Sequence, residues 1–202
     1  HAAIGTYTID TGRPNAPSFG SVSQDTGANT TDKITSDNTL TVTGVAGSAE
    51  PGSIINIYDN TSGTPVLVGS AVVAQDGSYS VDTGVLADGS YSLSITSTDT
   101  AGNESLPTSI GTWTIDSTAP IAPTFGSVSQ DTGASAIDKI TSDNTLTITG
   151  AAGSAEPGTT ITVYDSSSGS PVAVGTAVVA QDGSYSVTTS ALSDGNHPLS
   201  IT

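Results

Sequence analysis

Residues 71–81 read AVVAQDGSYSV: Val73 precedes a Gln75-Asp76-Gly77 turn, and Tyr79 and Val81 follow it at alternate positions. Successive side chains of an extended chain point to opposite faces, so alternation on either side of an Asp-Gly turn predicts antiparallel strands. The same stretch returns at 177–187, and the repetition reaches far beyond it. Residues 5–96 align without a gap on residues 111–202, at an offset of 106, with 65 of the 92 positions identical. A period of 106 is too long for a solenoid unit that needs neighbours to cover its core, and it matches an independent domain. Two near-copies in one chain point to an array built for length or avidity, and away from a single active site.

The rest of the repeat follows the same pattern. Thr39-Leu40-Thr41-Val42-Thr43 alternates, as do Ile55 and Ile57, then Tyr91, Leu93 and Ile95, then Trp113 and Ile115. Turn residues punctuate these runs at Glu50-Pro51-Gly52, Ser62-Gly63, Ala87-Asp88-Gly89 and Ala101-Gly102-Asn103. No segment carries a helical period. The spacing predicts an all-β antiparallel sandwich of about seven strands per repeat, without helices of note. Expected strands are 18–23, 39–44, 53–59, 65–68, 70–74, 78–82, 90–98 and 108–115. Linkers containing Pro14 and Pro120 favour an extended, stiff join. Residues 1–10 repeat the last strand of a preceding copy, 11–116 make a complete repeat, and 117–202 make a second repeat whose last strand is missing.

Composition limits the partners. Asp and Glu total 19 against three Lys and Arg (Arg13, Lys33, Lys139), a net charge of −16 that repels nucleic acid and anionic membranes. There is no Cys, which removes disulfides and thiol chemistry together, and no apolar run of transmembrane length. A secreted domain without disulfides needs another staple, and bound cations can supply one. Sixteen of the acids are Asp. Short carboxylates suit turns and sites for hard, oxygen-liganded cations.

The patterns IDxxxPxAPxFG, DTGxxxxDxITxDNTLTxTG, AEPGxxIxxYD, DGSYSV and TDxAGNxS run through the whole chain. In these motifs the sequence resembles the bacterial Ig-like repeats of giant surface adhesins and biofilm-associated proteins. That resemblance implies tandem Ig-like sandwiches, a position at the bacterial surface or in secreted material, and, in several relatives, calcium within or between repeats.

In such a sandwich, Asp25, Asp32 and Asp37, repeated as Asp131, Asp138 and Asp143, lie in the loop after the first strand. Asp88, and Asp116 directly after the last strand, approach the same end. Asp10 and Asp99 would face the preceding junction. We therefore take Asp10, Asp25, Asp32, Asp88, Asp99, Asp116, Asp131 and Asp138 as candidate Ca²⁺ ligands. The competing reading makes them turn formers. Catalysis has little to stand on: His1 is terminal, and His197 aligns with Tyr91 at a packing position. Most aromatics sit at inward parity, which argues against a sugar-binding platform. The function expected is a non-enzymatic, calcium-stiffened adhesin spacer that supports adhesion and biofilm formation. The alternatives are a module that grips a glycan or host protein, or one that associates with itself. Residues 5–10, GTYTID, match residues 111–116, GTWTID. Head-to-tail donation of this strand to the open edge of another molecule's second repeat is a further expectation.

Overall fold

A computed structural model describes residues 4–23, 25–27, 29–129, 131–132 and 134–202. Among them it is all-β, without helix, and divides into two compact units, His1–Thr118 and Ala119–Thr202.

The first unit contains β1 (Ser21–Val22), β2 (Ile34–Thr35), β3 (Thr41–Gly44), β4 (Ile54–Asp59), β5 (Val66–Val72), β6 (Tyr79–Asp82), β7 (Gly89–Thr98) and β8 (Thr108–Ile115). One sheet has the order β1-β3-β6 and the other β2-β8-β7-β4-β5. All pairs are antiparallel except β2 with β8. The alternation read from sequence becomes the core between the sheets. Leu40, Val42, Ile55, Ile57 and Ile95 are fully buried, with Val81, Leu93, Trp113 and Ile115 beside them. Tyr79 lies across Gly44, where a Cβ would come within 2.1 Å of its ring, and its hydroxyl donates to the Ser18 carbonyl at 2.8 Å. Burial pushes the Tyr79 phenol up to about 12.

Two expected features differ. The segments 65–68 and 70–74, expected as separate strands, are joined in the single strand β5, Val66–Val72. The pairing of β4 with β5 shifts register between Ile57 and Tyr58, so Gly69 sits at a bulge rather than an end. A Cβ there would meet the Asp82 carbonyl oxygen at 2.4 Å, which only glycine avoids. The second difference is β2, which no alternation predicted. Its two residues are ordered by the Thr114 N–H bond to the Lys33 carbonyl and the Asp116 N–H bond to the Thr35 carbonyl, both 2.9 Å.

The second unit contains β9 (Ser127–Ser129), β10 (Thr147–Gly150), β11 (Thr160–Asp165), β12 (Val172–Val178), β13 (Tyr185–Thr188) and β14 (Leu199–Ile201). Its sheets run β13-β10-β9 and β12-β11-β14. Its core is Ile148, Ile161, Val163, Val179, Tyr185 and Val187. Tyr185 covers Gly150 as Tyr79 covers Gly44. The repeat is therefore structural down to the packing of one ring on one glycine.

Candidate cation site and linker contacts

The chain between β1 and β3 folds on its own polar groups. Asp25 Oδ2 accepts from the Lys33 N–H at 2.9 Å, across eight residues, and Lys33 holds a left-handed φ of 63° to present it. Asp32 Oδ1 accepts from Ile34 N–H at 3.1 Å, and Thr26 and Thr35 share a hydroxyl bond of 2.8 Å. The second unit repeats this: Asp131 Oδ2 takes Lys139 N–H at 2.8 Å, with Lys139 also at φ 63°, and Asp138 Oδ1 takes Ile140 N–H at 3.1 Å. A non-glycine residue in the left-handed region costs about 1 kcal/mol or more. The same strain in both copies marks the turn as a maintained feature.

One observation sets Asp25 and Asp131 apart. In each, the second carboxylate oxygen, Oδ1, is buried and has no hydrogen-bond partner among the described residues. A buried carboxylate oxygen left unpaired is costly unless a donor or a cation meets it.

The remaining aspartates are accounted for differently. Eleven of the sixteen accept, through Oδ1, the N–H two residues ahead: Asp10, Asp32, Asp37, Asp59, Asp76, Asp99, Asp116, Asp138, Asp143, Asp165 and Asp182. Glutamate, one methylene longer, closes this turn less well, which explains the excess of Asp over Glu. Asp25 and Asp131 do not belong to this set.

Loop side chains hold both linkers of the first unit, a carboxylate at one end and an amide at the other. Asp88 Oδ1 accepts from Ser117 N–H and Oγ at 3.0 and 2.6 Å, and its Oδ2 accepts from Thr118 Oγ1 at 2.7 Å. The Ser117 hydroxyl holds the Asp88 carboxyl below the usual carboxylate range. At the other end Asn103 Nδ2 donates to the Asp10 carbonyl at 3.2 Å and to Asp99 Oδ2 at 2.9 Å. Asn103 likewise keeps the Asp99 carboxyl low. The structure thus brings Asp88 and Asp116 together around Ser117 and Thr118, and Asp10 and Asp99 around Asn103. Among the described residues it gathers no three His, Cys, Asp or Glu side chains into one metal cluster. Apart from the bond to the Lys33 or Lys139 N–H, the Asp25 and Asp131 carboxylates each keep one buried oxygen, Oδ1, without a hydrogen-bond partner among the described residues.

His197, which aligns with Tyr91, has Nδ1 at 2.8 Å from Asp165 Oδ2 and Nε2 at 2.8 Å from the Ser193 carbonyl oxygen. Neither nitrogen faces a hydroxyl that it could activate. Sequence spacing gave no hint of the Asp165 partnership, because Asp165 ends β11 and His197 lies 32 residues on, in the segment before β14. Tyr79, Tyr185 and Trp113 are buried, whereas Tyr7 and Phe125 are exposed.

Among the described residues, no helix is long and apolar enough to cross a membrane. No curated protein matches the chain. Among solved structures it is similar to the BSP domain of a biofilm associated protein, with 20% identity over 94% of this chain and 26% of that one, and a TM-score of 0.29. It is also similar to a tetra-tandem repeat in the extending region of a large adhesion protein, with 25% identity over 83% of this chain and 46% of that one, and a TM-score of 0.31. The chain therefore spans less than half the length of either. The bacterial Ig-like domain model matches residues 14–117 and again 119–202. The chain belongs to the bacterial Ig-like domain family and carries two of its domains in tandem.

Proposed function

We propose that this chain is a non-enzymatic spacer segment of a large bacterial surface or secreted adhesin, and that Ca²⁺ at its acidic turns stiffens it. The observation that carries this reading is repetition down to the site. The two units share the Asp–Lys turn, the left-handed lysine and the unpaired buried carboxylate oxygen. An array of like modules, each with its own site, suits a chain selected for length and stiffness. The names of the similar structures favour the same setting.

Asp25 anchors the cation in the first unit and Asp131 in the second. Asp32 and Asp138 are the next carboxylates on the same turns, and Asp116 lies beside Thr35 through its N–H. Asp10, Asp88 and Asp99 serve by holding the linkers. A bound divalent cation supplies charge that lets these turns pack without mutual repulsion. Small-angle scattering tests the stiffening. Millimolar Ca²⁺ is expected to raise the longest dimension of the intact chain above its value in chelator, and matched NaCl is expected not to. Superposable profiles in the three conditions would oppose the reading. A glycan array separates it from the ligand-gripping alternative, because a spacer gives no hit.

A further inference from the structure

At the offset of 106, Tyr91, Ala87 and Asp59 of the first unit correspond to His197, Ser193 and Asp165 of the second. Tyr91 Oη donates to the Ala87 carbonyl oxygen at 2.9 Å. His197 Nε2 meets the corresponding carbonyl, that of Ser193, at 2.8 Å. The histidine therefore preserves the tyrosine's tether and adds a second one, Nδ1 to Asp165 Oδ2, also at 2.8 Å. Asp59 bonds Thr61 as Asp165 bonds Ser167, but it has no counterpart of the histidine bond.

The protonation state follows from the acceptors. A carbonyl oxygen only accepts, and so does an ionised carboxylate. Both ring nitrogens must then donate, and only imidazolium carries two N–H groups. The pair is well enclosed, with side chains 15 and 10% exposed, and Asp165 is fixed further by Ser167 N–H at 2.9 Å and Ser167 Oγ at 2.8 Å.

We propose that His197 and Asp165 form a pH-governed brace in the second unit, tying the turn before β14 to the end of β11, and that the first unit, with Tyr91, lacks it. The charged groups near the ring are few. Asp165 faces it from β11, Asp131 and Lys139 line a groove with it without bonding it, and Asp194 lies three residues upstream. The hydrogen bond that His197 Nδ1–H donates to Asp165 holds the imidazole above its ordinary 6.5, and the same bond holds Asp165 below its ordinary 3.8. A raised histidine stabilises the fold fully below 6.5 and loses that contribution as pH rises through its folded value. Asp165 contributes above 3.8 and loses its share only as pH falls through its own depressed value. Between about pH 5 and pH 8 the histidine alone changes, so the brace engages on acidification.

The intact chain tests this, because it contains only one other histidine, His1. His197→Tyr installs the residue that the first unit already uses at this position. Imidazole NMR of the unaltered chain is expected to show a His197 midpoint above 6.5, identified as the signal absent from His197→Tyr. Second-unit melting is expected to be a few degrees higher at about pH 6 than at about pH 8.5, and His197→Tyr is expected to lose that difference. Asp165→Asn, which leaves the ring in place, should lower the His197 midpoint. A His197 midpoint at or below 6.5, or a His197→Tyr chain with an undiminished pH effect, would overturn the proposal.

Discussion

Trp113→Ala is expected to cost the first unit about 3–5 kcal/mol, as full truncation of a buried aromatic does. Trp113 is 5% exposed, lies opposite Tyr91 in the β7–β8 register, and packs in the cluster of Leu40, Val42, Leu93 and Ile115. A domain of this size commonly has about 5–15 kcal/mol in hand, so the loss takes a large fraction of its stability. Truncation would also weaken the seam between β8 and β2, which orders the chain next to Asp25. The indole N–H has no partner among the described residues. Trp113→Phe removes that unpaired donor along with some volume, and is expected to cost less than half as much. Urea unfolding of the intact chain followed by circular dichroism checks both. A Trp113→Ala loss under about 1 kcal/mol would mean that the ring does not organise the core.

Period-two alternation and Asp-Gly turns located most strands, because each needs only its own residues and one face of burial to be recognised. Strand β2 escaped notice because two residues carry no period and because its partner, β8, lies some eighty residues away. Strand β5 was divided at Gly69, whose meaning depends on a carbonyl oxygen from β6 pressed against it. The pairing of Gly44 with Tyr79 was likewise invisible, since a glycine in a strand announces nothing about the ring that will cover it.

The acidic residues show the same division. An excess of Asp pointed equally to cations and to turns, and turn geometry accounts for eleven of them. What distinguishes Asp25 and Asp131 is a bond across eight residues to a left-handed lysine, and spacing does not encode such a bond. The available signal was the DKIT stretch returning unchanged at 138–141, eight residues after a returning QDTG.

The second large effect concerns calcium. A carboxylate oxygen buried without a donor destabilises the native turn, and a cation that binds only the folded form relieves this and adds stability by mass action. At a free concentration a hundred times the dissociation constant, the gain is about 2.7 kcal/mol per site. On the proposed reading, with few carboxylates at each anchor, a dissociation constant of about 10⁻⁴–10⁻³ M is the expected result. Asp→Asn at both anchors keeps shape and removes charge, so an affinity loss of about tenfold or more is expected. Calorimetric titration of Ca²⁺ into chelator-treated chain, beside the Asp25→Asn, Asp131→Asn double variant, is the most direct test. Saturable heat is expected in the unaltered chain, and its loss in the double variant. No saturable heat in the unaltered chain, or the same isotherm from both proteins, would contradict calcium binding at Asp25 and Asp131.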